Sequence, residues 1–179
     1  MSAPLVVGID LSLTGTGVAH ATRDGIVTDT LADTDRGLDR LRRIAKAVRE
    51  HARTADLVVL EGPAYASVSR GFFERGGLHY MVLERLHLEG RTVVEVPPAV
   101  VKRYATGKGN AGKGAVVDAA ARRYPEVDTG GDDNQADALW LAALGLGYLT
   151  TEHRVPLAHL PQYEGWPAHL RGVDAPVLL

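Results

Sequence analysis

The pattern of apolar and polar positions along the chain predicts an α/β domain. Short segments that are rich in β-branched and apolar residues predict strands at 5–9, 16–22, 25–31, 56–60 and 92–96. Apolar residues at helical spacing predict helices at 38–52, 78–88, 98–104, 113–123 and about 133–149. The order strand, hairpin, helix, strand at the beginning of the chain lets the first and fourth strands lie parallel and adjacent in one sheet.

Two of these strands run directly into a carboxylate. Asp10 follows the apolar run 5–9, and Glu61 follows the run 56–60. Carboxylates are almost never buried unless they are paired or bind a metal ion. If the two strands are parallel neighbours, both carboxylates lie at one sheet edge, where ligands commonly bind in open α/β sheets. A hairpin in which Asp10 only caps a turn is the alternative explanation.

A third group of acidic residues opens the last predicted helix, in the segment DDNQAD. Asp137 lies four residues after Asp133 and three after Asn134, so these side chains share a helix face. Acidic residues also interact favourably with the dipole of a first helical turn, which explains Asp132 or Asp133 better than Asp137. Oxygen ligands without His or Cys suit Mg²⁺ or Mn²⁺ rather than zinc. Two such ions about 4 Å apart can promote phosphodiester hydrolysis.

Composition fits one domain with a substantial core. The 179 residues are 45% hydrophobic and 23% charged, with no cysteine and no apolar run long enough for a membrane span, so we expect a cytoplasmic protein. The net charge is −2, but it is unevenly distributed. The basic residues of segment 97–124 are Lys102, Arg103, Lys108, Lys113, Arg122 and Arg123. An acidic stretch follows this segment. A basic segment next to an acidic one suits an anionic polymer held beside a cation site, although the solvated faces of two ordinary helices would give a similar pattern.

Four motifs, spread in order over about residues 5–149, resemble the RuvC-type Holliday-junction resolvases of the RNase H-like superfamily. They are GIDLSLTGTGVA, VVLEGP, PPAVVKRYATGKGNAGKGAVV and DDNQADALWLA. The resemblance implies an RNase H-like fold with a mixed central sheet flanked by α-helices, a homodimer, and an acidic tetrad that holds two Mg²⁺ ions. It implies an endonuclease that resolves four-way DNA junctions. By position, Asp10, Glu61 and Asp137 match the family's acidic residues, and Lys102 and Lys113 match lysines that contact phosphates.

The resemblance leaves the fourth acidic position open. The family usually has Asp or His three residues before the last aspartate, where this chain has Asn134. Asn134 or Asp133 is therefore expected to complete the catalytic set. Lys108, in the same basic loop as Lys113, is a further candidate for DNA binding, and Tyr65 is the candidate for an aromatic residue that stacks at the opened junction.

The same resemblance suggests how the chain is organised. A nuclease domain is expected at 1–149, a proline-containing extension at 150–179, and a dimer interface at the helix 78–88. Three other hypotheses stay open: an RNase H-like nuclease for other branched DNA or RNA–DNA hybrids, an ATP-binding module of the actin and sugar-kinase type, and a DNA-binding relative without activity. The three carboxylates argue against the last, and the chain has little room for the second domain of an ATP-binding module.

Overall fold

The computed structural model describes residues 3–63 and 71–150, and these form five strands and five helices. The strands are β1 (Val6–Asp10), β2 (Gly15–Thr22), β3 (Gly25–Ala32), β4 (Leu57–Glu61) and β5 (Val93–Val96). The helices are α1 (Gly37–His51), α2 (Phe72–Leu88), α3 (Pro98–Thr106), α4 (Lys113–Arg123) and α5 (Asp133–Leu149). None of these helices is long and apolar enough to cross a membrane.

The five strands form one mixed sheet in the order β3-β2-β1-β4-β5. The first three strands pair antiparallel, and β4 and β5 continue the sheet parallel to β1. The predicted hairpin between β2 and β3 is confirmed, with Thr22 opposite Gly25. Since Ile9 lies opposite Leu60 in the parallel pair, β1 and β4 end at the same edge of the sheet, as predicted.

Each face of the sheet has its own hydrophobic core, because successive side chains of a strand point to opposite faces. Val7 and Ile9 pack with α1 and α2 on one face. Val6 packs on the other face, against α5. The middle of α5 is buried on all sides, since the sheet lies below it and α3 and α4 lie above it. This layering holds α5 directly over β1 and β2.

Glycines allow α5 to approach the sheet unusually closely. A Cβ atom at Gly8 would lie 2.3 Å from the carbonyl oxygen of Ala138, and one at Gly17 would lie 2.0 Å from that of Asn134. On the helix side, a Cβ at Gly145 would lie 2.6 Å from a valine of β4. Only residues without a Cβ fit at these positions. The first turns of α5 therefore rest on β1 and β2, close to the end of β1.

The beginning of α2 differs from the prediction. The helix starts at Phe72 rather than at residue 78, although two glycines lie in its first turns. Contacts with α1 hold these turns: Arg40 and Glu74 form an ion pair at 2.6 Å, and Gly77 faces a leucine of α1. Tertiary packing thus outweighs the low helix propensity of glycine. The other predicted elements are confirmed with small shifts in their boundaries.

Candidate active site

Two carboxylates meet at the sheet edge where β1 and β4 end. Asp10 is the last residue of β1, and Glu61 is the last residue of β4. The parallel register places them side by side, and their side chains form a hydrogen bond. Because an ionised carboxylate can only accept, a hydrogen bond between two carboxyl groups requires that one of them hold a proton.

Helix α5 adds a third carboxylate. Its first turn rests on Gly17, which is the strand partner of Asp10. Asp137 lies one turn into the helix, between two fully buried alanines. The charge of Asp137 raises the pKa of both Asp10 and Glu61. The three side chains, which we call the carboxylate cluster, therefore form one electrostatic unit.

Burial and crowding raise the pKa of every member of the carboxylate cluster. Burial is the largest cause for Asp137, whose pKa rises from 3.8 to about 6, and the charge of Asp133 adds to it. The pKa of Asp10 is raised by burial and by Asp137, and that of Glu61 by burial and by both other members. Crowded, buried carboxylates disfavour their charged forms. Perturbed groups of this kind are characteristic of functional sites.

The two candidates for the fourth position point to different partners. The amide Nδ2 of Asn134 donates to Oδ1 of Asp132, the N-cap of α5, at 3.1 Å. Asp132 in turn accepts a hydrogen bond from Thr30 on β3 at 2.6 Å. Asp133 instead forms an ion pair with Lys113, and its charge raises the pKa of the two aspartates of the carboxylate cluster. Of the two candidates, Asp133 is therefore the one whose charge acts on the carboxylate cluster.

Two of the three lysines predicted to bind DNA lie beside the carboxylate cluster. Lys102 on α3 lowers the pKa of Glu61, and Lys113, the first residue of α4, lowers that of Asp10. Lys108 has no such effect within the described part of the chain; it is exposed in the loop between α3 and α4. Tyr65 lies outside the described residues.

The donor chemistry of the site fits hard divalent cations. Its members offer carboxylate oxygens and neither sulfur nor imidazole, which is the ligand set of Mg²⁺ and Mn²⁺. In residues 3–63 and 71–150, no three acidic, cysteine or histidine side chains already form a group that could hold an ion. In this arrangement Asp10 and Glu61 interact with each other, and Asp133 pairs with Lys113.

A cavity of about 510 Å³ adjoins the carboxylate cluster on the side of α2. Asp10 and Glu61 line one end of it, and the aromatic side chains of Phe72, Phe73 and Tyr80 line the other. Phe73 is 90% exposed. Sequence reasoning did not predict this cavity, because it depends on α2 beginning at Phe72. The pair of phenylalanines shortly after a strand-terminal glutamate was the available signal.

Two curated proteins are similar to this chain in sequence, whereas no family model matches it. The crossover junction endodeoxyribonuclease RuvC of Synechococcus sp. (strain WH7803) is 30% identical over 154 residues, which cover 78% of this chain and 96% of the relative. The protein of the same name from Synechococcus sp. (strain CC9311) is 31% identical over 117 residues, which cover 60% of this chain and 68% of the relative.

Solved structures share the fold. The Thermus thermophilus RuvC structure matches with a TM-score of 0.63 and 22% identity over 81% of this chain and 93% of that one. RuvC of T. thermophilus in complex with Holliday junction substrate matches with a TM-score of 0.65 and 21% identity, over 84% of this chain and 95% of that one. The Fowlpox virus resolvase in complex with Holliday junction DNA matches with a TM-score of 0.56 and 14% identity, over 81% of this chain and 98% of that one. These matches confirm the predicted RNase H-like fold.

Proposed function

The chain belongs to the RuvC family of crossover junction endodeoxyribonucleases, and we propose that it resolves four-way DNA junctions by hydrolysing one phosphodiester bond in each of two opposed strands. The family resemblance inferred from the four motifs is thereby confirmed. One observation of the site supports the proposed reaction: three half-buried carboxylates from β1, β4 and α5 gather at one sheet edge, with Lys102 and Lys113 beside them. In such a site the carboxylates can bind divalent cations while the lysines contact the phosphates of DNA.

We assign the four acidic residues Asp10, Glu61, Asp133 and Asp137 to two Mg²⁺ ions, for which Mn²⁺ can substitute. When bound, such a pair of ions activates a water molecule and stabilises the leaving oxygen of the phosphodiester. Membership of a RuvC-type nuclease family implies a requirement for a divalent metal; the number of two ions is part of our proposal. Four carboxylates balance the charge of two divalent cations, which supports that number.

The lysines and carboxylates of this chain have separable tasks. Asp10 and Glu61 must give up the proton of their hydrogen bond before both can act as anionic ligands. Lys113 is three-quarters exposed, so its ammonium group can turn from Asp133 to a phosphate oxygen of the substrate. Lys102 adds positive charge on the side of α3. Contacts of this kind hold the DNA backbone and carry no information about base sequence.

We further propose a homodimer in which α2 forms the interface. The apolar stripe of α2 that sequence analysis identified is core, because Leu78, Val82 and Leu86 are buried against the sheet and α1. The opposite face of the helix exposes Phe73 and Tyr80, which are 90% and 70% exposed and lie two turns apart. A two-fold dimer built on this face would supply two related sites for two symmetric cuts.

Three finer assignments stay predictions of the same kind. Residues 1–149 are expected to form the nuclease domain, and all of the extension 150–179 except its first residue lies outside the described residues. Tyr65 is proposed to stack on a base at the junction centre, which would contribute about 1–3 kcal/mol. The cytoplasmic location expected from the absence of cysteine is also retained as a prediction.

A cleavage panel tests the proposed function. Four-way junction, flap, RNA–DNA hybrid and linear duplex are each incubated with the protein in Mg²⁺ and in EDTA, and the nicks are mapped at nucleotide resolution. We expect paired, symmetric nicks in the junction alone, and only with the metal. Asp10→Asn and Glu61→Gln should abolish the nicks while junction binding persists.

Other results would lead to a different assignment. Preferred cleavage of the flap or the hybrid would identify a nuclease for other branched or hybrid substrates. Cleavage of one strand only, by a protein that sediments as a monomer both free and on the junction, would contradict the dimeric resolvase.

A further inference from the structure

A basic groove of about 600 Å³ lies away from the carboxylate cluster, between the α3–α4 loop and the C-terminal end of α4. Its cationic members are Lys108, Arg122 and Arg123. Small alanine side chains of α3, α4 and their connecting loop line much of the rest, together with Trp140. We call this feature the α4 groove. Its cationic lining suits a ligand that carries negative charge.

The positive charge of the α4 groove is available to a ligand. In the described part of the chain, neither Lys108 nor Arg122 forms an ion pair, and both are exposed. The arginines of α1 provide the contrast, because they are neutralised by carboxylates of the same protein. Arg40 pairs with Glu74 at 2.6 Å, and Arg43 pairs with an aspartate that precedes α1 at 3.0 Å. Among the described residues, these arginines of α1 are thus paired within the protein, whereas Lys108 and Arg122 of the α4 groove are not.

The floor of the α4 groove is tightly packed and offers little that could read bases. The ring of Trp140 is 1% exposed and is held by edge-to-face contacts with Tyr104 and Tyr124, each with 5.6 Å between centroids. Its Nε1 donates to the carbonyl oxygen of Val116 at 3.2 Å, so this donor is already used. With alanine methyl groups as most of the remaining surface, the ligand contacts available are those of cations with phosphates.

Helix α4 connects the groove to the active site. Lys113 at its first position faces Asp133, and Arg122 lies nine residues further along the same helix. At a rise of about 1.5 Å per residue, the two positions are about 14 Å apart along the axis. This length corresponds to about four nucleotide steps of one duplex strand.

We propose that the α4 groove is a second DNA-backbone site, which holds an arm of the substrate about four nucleotide steps from the scissile phosphate. The inference rests on the proposed junction cleavage, which places DNA at Lys113. It gives Lys108 a role distinct from that of the lysines at the active site: Lys108 and Arg122 position the arm and do not touch the reacting atoms. Such a contact recognises phosphate and is independent of sequence.

The test combines a protein variant with neutralised phosphates. Binding of a four-way junction is measured by fluorescence anisotropy in EDTA, for wild type and for Lys108→Ala/Arg122→Ala. Blocks of three methylphosphonate linkages are moved along the arms to remove charge at defined distances from the mapped nick. The α1 control, Lys46→Ala/Arg53→Ala, removes the same charges from exposed positions of α1 and of the turn that follows it, on the other side of the sheet.

We expect the groove variant to lose about tenfold in affinity for the junction at physiological salt. The slope of its log affinity against log salt concentration should fall by the amount that corresponds to about two phosphate contacts. A neutral block about four steps from the nick should weaken wild type but not this variant, whereas the α1 control should behave as wild type in both respects. Equal losses for the groove variant and the α1 control, or equal sensitivity of variant and wild type to every block, would overturn the inference. Failure of wild type to nick the junction would instead overturn the proposed function, and with it the assignment of the groove to a junction arm.

Discussion

Removing one charge from the carboxylate cluster should make this protein more stable and inactive at the same time. Asp137→Asn is the clearest case, because the amide has the shape of the carboxylate without its charge. Burial is the main reason that the pKa of Asp137 rises from 3.8 to about 6 on folding. Between these two values the native state binds more protons than the unfolded state, so stability falls as the pH rises. This loss of stability is complete above the pKa of Asp137 in the folded state and absent below its pKa in the unfolded state.

The size of the effect follows from that shift. A difference of about two pKa units corresponds to about 3 kcal/mol at neutral pH, and partial contact with solvent reduces it. We expect Asp137→Asn to raise the free energy of unfolding by about 1–3 kcal/mol in EDTA at about pH 7.5, or Tm by about 2–10 °C for a chain of this size. The difference should vanish near pH 3.5, where Asp137 is protonated in both states of the wild type.

The assay is urea unfolding in EDTA at the two pH values, followed by a thermal scan with and without Mg²⁺. Asp118→Asn serves as the control, since this exposed residue of α4 is outside the carboxylate cluster. Mg²⁺ should raise the Tm of wild type and of the control, and should raise that of Asp137→Asn much less. If the variant is no more stable than wild type at neutral pH, burial does not penalise the charge of Asp137. If Mg²⁺ stabilises both proteins equally, Asp137 is not a ligand.

Three further predictions test other parts of the structure. Asp133→Ala should reduce the cleavage rate far more than Asn134→Ala in single-turnover assays, and equal small losses would leave only three side chains to hold the ions. Gly8→Ala should cost at least about 2 kcal/mol in urea unfolding, because the added Cβ meets helix backbone at 2.3 Å, whereas Gly114→Ala, which points into open space, should be neutral or stabilising. Burial and a neighbouring histidine lower the pKa of His20, so its contribution to stability is present above about pH 6.5 and lost as the pH falls below that value. In urea unfolding, His20→Asn should lose less stability than wild type as the pH falls. An unchanged dependence of stability on pH would exclude His20 as the source of that loss.

Local chemistry in the sequence determined much of this protein. Apolar runs with β-branched residues determined the strands, and their carboxyl-terminal residues are Asp10 and Glu61. Helical spacing determined that Asp133 and Asp137 lie on one face of α5. These features depend on residues close together in the chain, where the periods of strand and helix leave few alternatives. The parallel pairing of β1 with β4 also followed, because the connections in an α/β domain are restricted.

Tertiary structure alone decided how these residues interact. The close approach of α5 depends on Gly8 meeting a helix more than a hundred residues away in the chain, and it brings Asp137 to the end of β1. The pKa of each member of the carboxylate cluster depends on burial and on charges from other elements, which no local pattern encodes. The partner of Asp133 is likewise tertiary: both Asp133 and Asn134 have oxygens at a suitable spacing, but Asp133 pairs with Lys113 twenty residues away, whereas Asn134 bonds to the neighbouring helix cap.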